Sequence, residues 1–336
     1  MSTIKKILIN KDSTCQSIWF MRQAGRYLPE FRKIRSQNKN FIKLCLDSDL
    51  SSEITLQPIR RYDLDSAIVF SDILLVPYAL GQEVDFIKNS GPMLSEFNKD
   101  MFFNNNKENF TIKLKPIYDS IKKTRKKLDK NKSLISFVGA PWTLLIYMLN
   151  LKLTGNKINL TFIESQKTDI KRIIDNLVIY LCKHIEKQIE AGADLVQVFD
   201  SWAGIIPNIN INEFCYEPNL KIVNFCRERK IPIICFPKGI GKKYLEFNTI
   251  VKPDGLNLDY DVDPVWAKKN LHEVVLQGGM NPKILLKSRN EINIEAKKYL
   301  DIFKDVPYIF NLGHGIVPET EPDKLKSLID YVRKYK

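Results

Sequence analysis

Ile18-Trp19-Phe20-Met21-Arg22-Gln23-Ala24-Gly25-Arg26 opens with four apolar residues and then turns polar at once. Seven further runs read the same way. Ala67 to Phe70 ends in Ser71-Asp72, Leu134 to Val138 in Gly139-Ala140-Pro141-Trp142, and Leu195 to Phe199 in Asp200-Ser201-Trp202. Ile231 to Phe236 ends in Pro237-Lys238-Gly239, and Gly255 to Leu258 in Asp259-Tyr260. Val274 to Leu276 ends in Gln277-Gly278-Gly279, and Tyr308 to Phe310 in Asn311-Leu312-Gly313-His314-Gly315. Short apolar runs bounded by turn residues suit strands buried on both faces, as in a parallel sheet.

Helical patterns lie between these runs. Ile170, Ile173, Ile174, Leu177 and Leu181 form one stripe, and Gly192 is placed to stop that helix. Phe41 to Tyr62 predicts a helix with Leu56 and Ile59 inward. Thr320-Glu321-Pro322-Asp323 resembles a capping box before the stripe Leu325, Leu328, Ile329, Val332. Eight strands alternating with helices predict a single (β/α)8 TIM barrel over residues 1–336, class α/β, with extra helices and loops. No GxGxxG or GxxxxGK[ST] supports an open nucleotide-binding sheet. Phe86 to Asn106 is the least regular stretch and reads as an excursion from the barrel.

The 336 residues are 44% hydrophobic, ample for a core, and no run approaches the roughly 20 apolar residues of a membrane span. The first residues, MSTIKKILINKDST, lack the apolar region of a secretory signal. Cys15, Cys45, Cys182, Cys215, Cys226 and Cys235 are scattered without a CxxC pair. That pattern predicts reduced thiols, a cytoplasmic protein and no structural zinc. The net charge of +13 is mostly lysine strewn through the chain, read as a solvated surface in preference to a polyanion site. The run Lys122 to Lys132 follows helically spaced Ile117 and Ile121, so it reads as the polar face of a surface helix and not a nucleic-acid contact.

In a (β/α)8 barrel the C-terminal strand ends share one face, the catalytic one. Arg22, Arg26, Asp72, Ser201, Lys238, Asp259 and His314 then ring one cavity, with Tyr147 just inside the helix after the third strand. Each has a plainer reading: strand-end arginines, Asp72 or Ser201 as a helix cap, Tyr147 as a core residue. His184 and His272 fall in helical patterns and read as structural. His314 sits between two glycines, which suggests a close backbone approach to a ligand. Ser201 has no GxSxG context, no Cys–His nucleophile pair stands out, and a lone histidine does not make a catalytic zinc site. What is left is a cationic pocket with one well-placed carboxylate, suited to acid–base and electrostatic catalysis on a carboxylate-rich substrate without metal or cofactor.

Met21 to Arg32 (MRQAGRYLPEFR), Leu56 to Leu74, Gly139 to Met148 (GAPWTLLIYM), Val198 to Gly204 (VFDSWAG) and Phe310 to Ile316 (FNLGHGI) together resemble the uroporphyrinogen decarboxylase family, in its order and over nearly the whole chain. The resemblance implies a cytoplasmic homodimer that removes CO2 from the four acetate side chains of uroporphyrinogen III, giving coproporphyrinogen III in haem biosynthesis without a cofactor. It implies Asp72, Arg22, Tyr147 and His314 as catalytic residues. Arg22, Gln23, Ala24, Gly25, Arg26, Asp72, Tyr147, Ser201 and His314 carry over as substrate contacts. The proton donor stays open among Arg22, Tyr147 and His314. Phe31 and Ser201 depart from the family's usual tyrosine and threonine. The alternative within the superfamily is a corrinoid or thiol methyltransferase, which needs zinc held by His and Cys, yet Ile316 stands two residues after His314 where a cysteine would be required.

Overall fold

The computed structural model describes residues 2–14, 16–87, 91–152 and 158–335. Cys15 and residues 88–90 of the expected excursion lie outside them. All eight apolar runs become strands: β1 (Ser17–Ile18), β2 (Ser66–Ile68), β3 (Ser133–Gly139), β4 (Leu195–Asp200), β5 (Ile233–Pro237), β6 (Gly255–Leu258), β7 (Val275–Gly278) and β8 (Tyr308–Phe310). They form one parallel eight-stranded sheet in the order β1-β8-β7-β6-β5-β4-β3-β2. Helices alternate with the strands, so the architecture is the (β/α)8 barrel the pattern predicts.

β1 is two residues long, shorter than the apolar run that encodes it. The Trp19 N–H makes the last bond to β8, to the Phe310 carbonyl at 3.3 Å, and Phe20 and Met21 leave the ladder but stay buried. The seam between β1 and β2 is closed chiefly by side chains. Asp65 takes the Ile18 N–H on Oδ2 at 2.7 Å and gives its own N–H to the Ile18 carbonyl at 3.0 Å. Arg333, from the last helix, pairs with the same Oδ2 at 2.9 Å.

The barrel interior has an apolar layer of Trp19, Met21, Ile68, Ile135, Leu195, Ile234, Phe236, Val275 and Ile309. Ile4, Ile7 and Leu8 of the helix Thr3–Asn10 join that layer, so the lysine-flanked N-terminal patch is a barrel plug. A second interior layer is made of amides. Gln277 accepts from Trp19 Nε1 at 2.9 Å and donates to Gln197 at 3.1 Å and Asn257 at 2.8 Å. A larger apolar shell packs between strands and helices.

Three local expectations change. Phe41 to Tyr62 is two helices, Phe41–Leu46 and Ser48–Arg61, because the Asp47 carboxylate accepts from Asp49 and Leu50 N–H and starts a new helix. The last helix is Pro322–Lys334 with Glu321 at its N-cap and no side-chain cap, while Thr320 Oγ1 is buried without a partner. His272 lies exposed in a turn after the helix Pro264–Asn270. Gly192 does end the helix Lys167–Glu190, at φ +112°. The excursion holds a hairpin, Val84–Ile87 with Gly91–Leu94, and a short helix Lys99–Phe103. In the basic run, Arg125 is a staple: it donates to three carbonyls and to Asp194. No helix among the described residues is long and apolar enough to cross a membrane.

Replacing Asp65 by Ala strands the Ile18 N–H at the seam and removes one of the two carboxylates on Arg333, which keeps Asp63. The expected cost is ~1–3 kcal/mol of unfolding free energy, measured by chemical denaturation, with an intact far-UV spectrum. A stability equal to the parent's would show that the seam does not rely on this carboxylate.

Candidate active site

The turn after β1 carries Arg22 at φ +60°, an uncommon conformation for a residue with a side chain. The residues around it hold it there. Gln23 is fully buried. Its Oε1 accepts the Phe20 N–H at 3.1 Å and its Nε2 donates to the Ser66 carbonyl at 2.9 Å. Tyr27 Oη donates to the Gln23 carbonyl at 2.8 Å. Arg32 donates to the carbonyls of Arg26 and Tyr27 at 2.9 and 2.8 Å. Glu30 forms a bidentate pair with Arg61, at 2.8 and 2.9 Å, pinning the helix Pro29–Gln37 to Ser48–Arg61. The Gln23 side chain therefore closes the barrel. Ala24 and Gly25 are half-buried within this turn. Phe31 packs edge-on against Phe70, centroids 5.6 Å apart, inside the core.

Arg22 and Arg26 project from this loop at the barrel mouth; both keep solvent contact, and Arg22 is also recessed among its neighbours. Asp72, half-buried, follows β2. Its Oδ1 accepts the Leu74 N–H at 2.8 Å in a local turn before the helix Leu75–Ala79, whose N-cap is Leu74, so Asp72 is not the cap. Burial pushes the Asp72 carboxyl up to about 6, opposed by the Leu74 N–H and the Arg22 charge. Burial lowers the Arg22 guanidinium, with Asp72 opposing and Arg26 adding to the fall. Tyr147, half-buried on the helix Pro141–Met148, has its phenol raised by burial; Trp202 and Arg22 oppose that rise and Asp72 adds to it. Its ring meets Trp202 edge-on, centroids 6.2 Å apart.

Ser201 and Trp202 follow β4 and are set by Asp200, which the sequence reading passed over. Asp200 is buried, and Thr143 Oγ1 donates to it at 2.7 Å. Trp202 N–H reaches the same Thr143 oxygen at 3.2 Å. A carboxylate at a strand end looked like a pocket residue or nothing; its partners Thr143, Cys215 and Asn219 lie far away in sequence.

His314 follows β8, half-buried. Its Nδ1 accepts the Gly315 N–H at 2.7 Å, which leaves Nε2 as the N–H of the neutral ring. Burial, then Arg22, then Lys238, push it down to about 4. The flanking glycines make room for neighbouring protein groups. A Cβ on Gly315 would fall 2.4 Å from Arg22 Cδ, and one on Gly313 2.4 Å from the Tyr260 nitrogen. His184, by contrast, is a core residue bonded to Tyr118 Oη at 3.0 Å.

Around this mouth, no side chain of Arg22, Arg26, Lys238, Asp72 or Asp259 takes part in an ion pair within 4.0 Å among the described residues, although the surface is laced with such pairs. These cations and carboxylates sit at or just after the C-terminal strand ends and are held apart. Among the described residues no group of three or more His, Cys, Asp and Glu side chains is placed to hold a metal ion.

A model of uroporphyrinogen decarboxylase (URO-D) matches residues 2–335. The chain belongs to the uroporphyrinogen decarboxylase family. Curated relatives named uroporphyrinogen decarboxylase include one from Rickettsia felis, 42% identical over 97% of this chain and 95% of the relative. Another, from Rickettsia bellii, is 41% identical over 95% and 94%. The family makes this chain a carboxy-lyase of tetrapyrrole synthesis with a porphyrinogen substrate. Solved structures share the fold at low identity. A methyltransferase from Methanosarcina mazei superposes with TM-score 0.69 at 15% identity, covering 90% of both chains. A B12-independent methionine synthase from Shewanella sp. gives 0.58 at 9% identity, covering 86% and 88%. The arginines of the RQAGRY stretch, Arg22 and Arg26, lie at the mouth of the barrel.

His314 should titrate near 4 when followed by imidazole NMR. In Arg22→Leu, with one facing positive charge removed, its pKa should rise toward 6.5. An unmoved titration would separate the two side chains.

Proposed function

We propose that this enzyme removes CO2 from the four acetate side chains of uroporphyrinogen III, giving coproporphyrinogen III, with no metal or organic cofactor. The observation that carries the reading is the half-buried Asp72 carboxylate beside an unpaired Arg22, at the mouth of the barrel.

A pyrrole acetate holds its CO2 because the electrons left behind need a sink. A proton added to the adjacent ring carbon converts the pyrrole to an iminium-like cation. The C–C bond to the carboxylate then breaks, its electron pair neutralises the ring, and CO2 departs. A second proton reaches the exocyclic methylene, giving methyl, and the ring carbon loses its added proton. The net change per acetate is one proton consumed and one CO2 released.

Asp72 accepts the pyrrole N–H groups and stabilises the ring cation more than the neutral ring. In a site shielded from water a fixed carboxylate does this without solvent reorganisation. Arg22 and Arg26 bind substrate carboxylates, for which the planar guanidinium fork is suited. Ala24, Gly25 and Ser201 line the pocket and Tyr147 closes it beside Trp202. His314, pushed down to about 4, is neutral near pH 7 and donates a hydrogen bond through Nε2 rather than a proton as imidazolium. The acid is therefore Arg22, whose guanidinium is lowered, or Tyr147, whose phenol is raised. The reading includes a single (β/α)8 domain over 1–336, a homodimer, a cytoplasmic setting, and no membrane or nucleic-acid partner.

Purified protein under anaerobic conditions with chelator should convert uroporphyrinogen III to coproporphyrinogen III; absence of CO2 and product overturns the reading. Asp72→Asn should lose roughly a hundredfold or more in kcat, the ~3 kcal/mol of a removed preorganised electrostatic partner. Because the ionised Asp72 does the work, kcat/KM of the parent should hold above about 6 and fall as pH drops below it. Turnover of Asp72→Asn near the parent's would remove the carboxylate from this role.

A further inference from the structure

Lys238 and Asp259 stand at the mouth without a part in the chemistry above. Lys238 follows β5, four strands round the ring from β1 and its arginine loop. Its backbone is fixed on three sides. The N–H donates to Asp200 O at 3.1 Å and Phe236 O at 3.0 Å, and the carbonyl accepts Gly204 N–H at 2.9 Å. Gly204 packs so closely that a Cβ there would fall 2.5 Å from the Gly239 oxygen. Yet the half-buried Lys238 side chain makes no ion pair or hydrogen bond among the described residues. Asp259 follows β6, the neighbouring strand, and is 1% exposed. Neither carboxylate oxygen has a partner within 3.5 Å, but the backbone N–H groups of Tyr260 and of Gly239, the residue after Lys238, lie near enough to favour its ionised form. Its burial raises its pKa and the Lys238 charge opposes that rise; the same charge acts on His314. The Lys238 charge is thus felt by both a buried carboxylate and His314.

A wide macrocycle with carboxylates around its rim presents negative charge to both sides of the mouth. Arg22 and Arg26 enter the mouth from the β1 end, whereas Lys238 enters it from β5, the strand farthest from β1 round the ring. Burying a carboxylate is costly unless N–H groups or a cation face it. Asp259 faces the Gly239 N–H, so it helps hold the turn after β5 from which Lys238, engaged by no other side chain, projects.

We propose that Lys238 binds a rim carboxylate of the substrate on the side across from Arg22 and Arg26, and that Asp259 is its positioning residue. This rests on the porphyrinogen reading of the site. Lys238→Gln should raise KM about ten- to a hundredfold with kcat within about threefold, since a charge-assisted contact to bound substrate is lost. Lys238→Arg should recover most of that loss. Asp259→Asn should raise KM in the same direction, and the double variant should be no worse than Lys238→Gln, because the positioning has nothing left to position. Binding of the oxidised, unreactive octacarboxylate macrocycle, read by tryptophan fluorescence quenching, should weaken in step. This last measurement separates the proposal from the activity: a parent that binds the oxidised macrocycle but releases no CO2 from uroporphyrinogen III sinks the reaction and not the lysine's role. A folded Lys238→Gln with unchanged KM and unchanged macrocycle binding overturns the proposal. So does a full additional loss when Asp259→Asn is combined with it. Should Asp259→Asn fail to fold, the Lys238→Gln and Lys238→Arg pair still decides between the two outcomes.

Discussion

The barrel closes on a strand of two residues, and the side chain that helps close it belongs to the same loop that carries the arginines. Gln23 ties the Phe20 N–H to the Ser66 carbonyl across the β1–β2 seam. Asp65 does the same one layer down. A full-length β1 would supply these bonds by its own ladder, but it would also carry Arg22 along a strand direction. Ending the ladder early lets the chain turn at Arg22 with positive φ and aim the guanidinium across the mouth. The bonds lost to the ladder are recovered by one buried amide and one carboxylate. Closure of the fold and placement of the cations are thus one local solution.

The electrostatics follow from that rigidity. Asp72 and Arg22 act on each other without touching, and their pKa values are pushed up and down by burial rather than by pairing. If the loop could relax, a guanidinium and a carboxylate this close would collapse into a salt bridge, as they do repeatedly on the surface. The bonds from Tyr27 to Gln23 and from Arg32 to Arg26 and Tyr27, with the Glu30–Arg61 fork, oppose that collapse. The stem of Arg22 is further confined by Gly315, where a methyl group would fall on its Cδ.

Most of the barrel was legible because parallel strands buried on both faces leave a strong apolar record, and every one of the eight runs is a strand. The ring of mouth residues followed from strand direction alone. The details that escaped depend on contacts far apart in sequence. Gln23 reads as polar and loop-borne, and only the position of Ser66 shows that it is spoken for inside. Asp200 and Asp72 look alike at their strand ends; Thr143, Cys215 and Asn219 make one structural and leave the other facing the pocket. Asp47 splits a helix that hydrophobic spacing alone runs together. The glycines around His314 were read as space for a ligand, whereas the neighbours that need the space are Arg22 and Tyr260.

That last revision bears on how such a mouth keeps its charges apart. Gly204 against Gly239, Gly313 against Tyr260 and Gly315 against Arg22 are three contacts in which a single Cβ would force main chain or an arginine stem aside. They bring the β4, β5, β6 and β8 ends, and the Arg22 loop, closer than side-chain packing would allow. Closer ends make a narrower, less hydrated mouth, in which each unpaired charge is felt more strongly. The same narrowness would favour salt bridges if the side chains were free to choose. Backbone approach through glycine gives proximity without adding flexible side chains, so the charges come near one another while their carriers stay fixed. A substrate bearing many carboxylates then finds cations not already neutralised, and a cation formed on the ring finds a carboxylate not already paired.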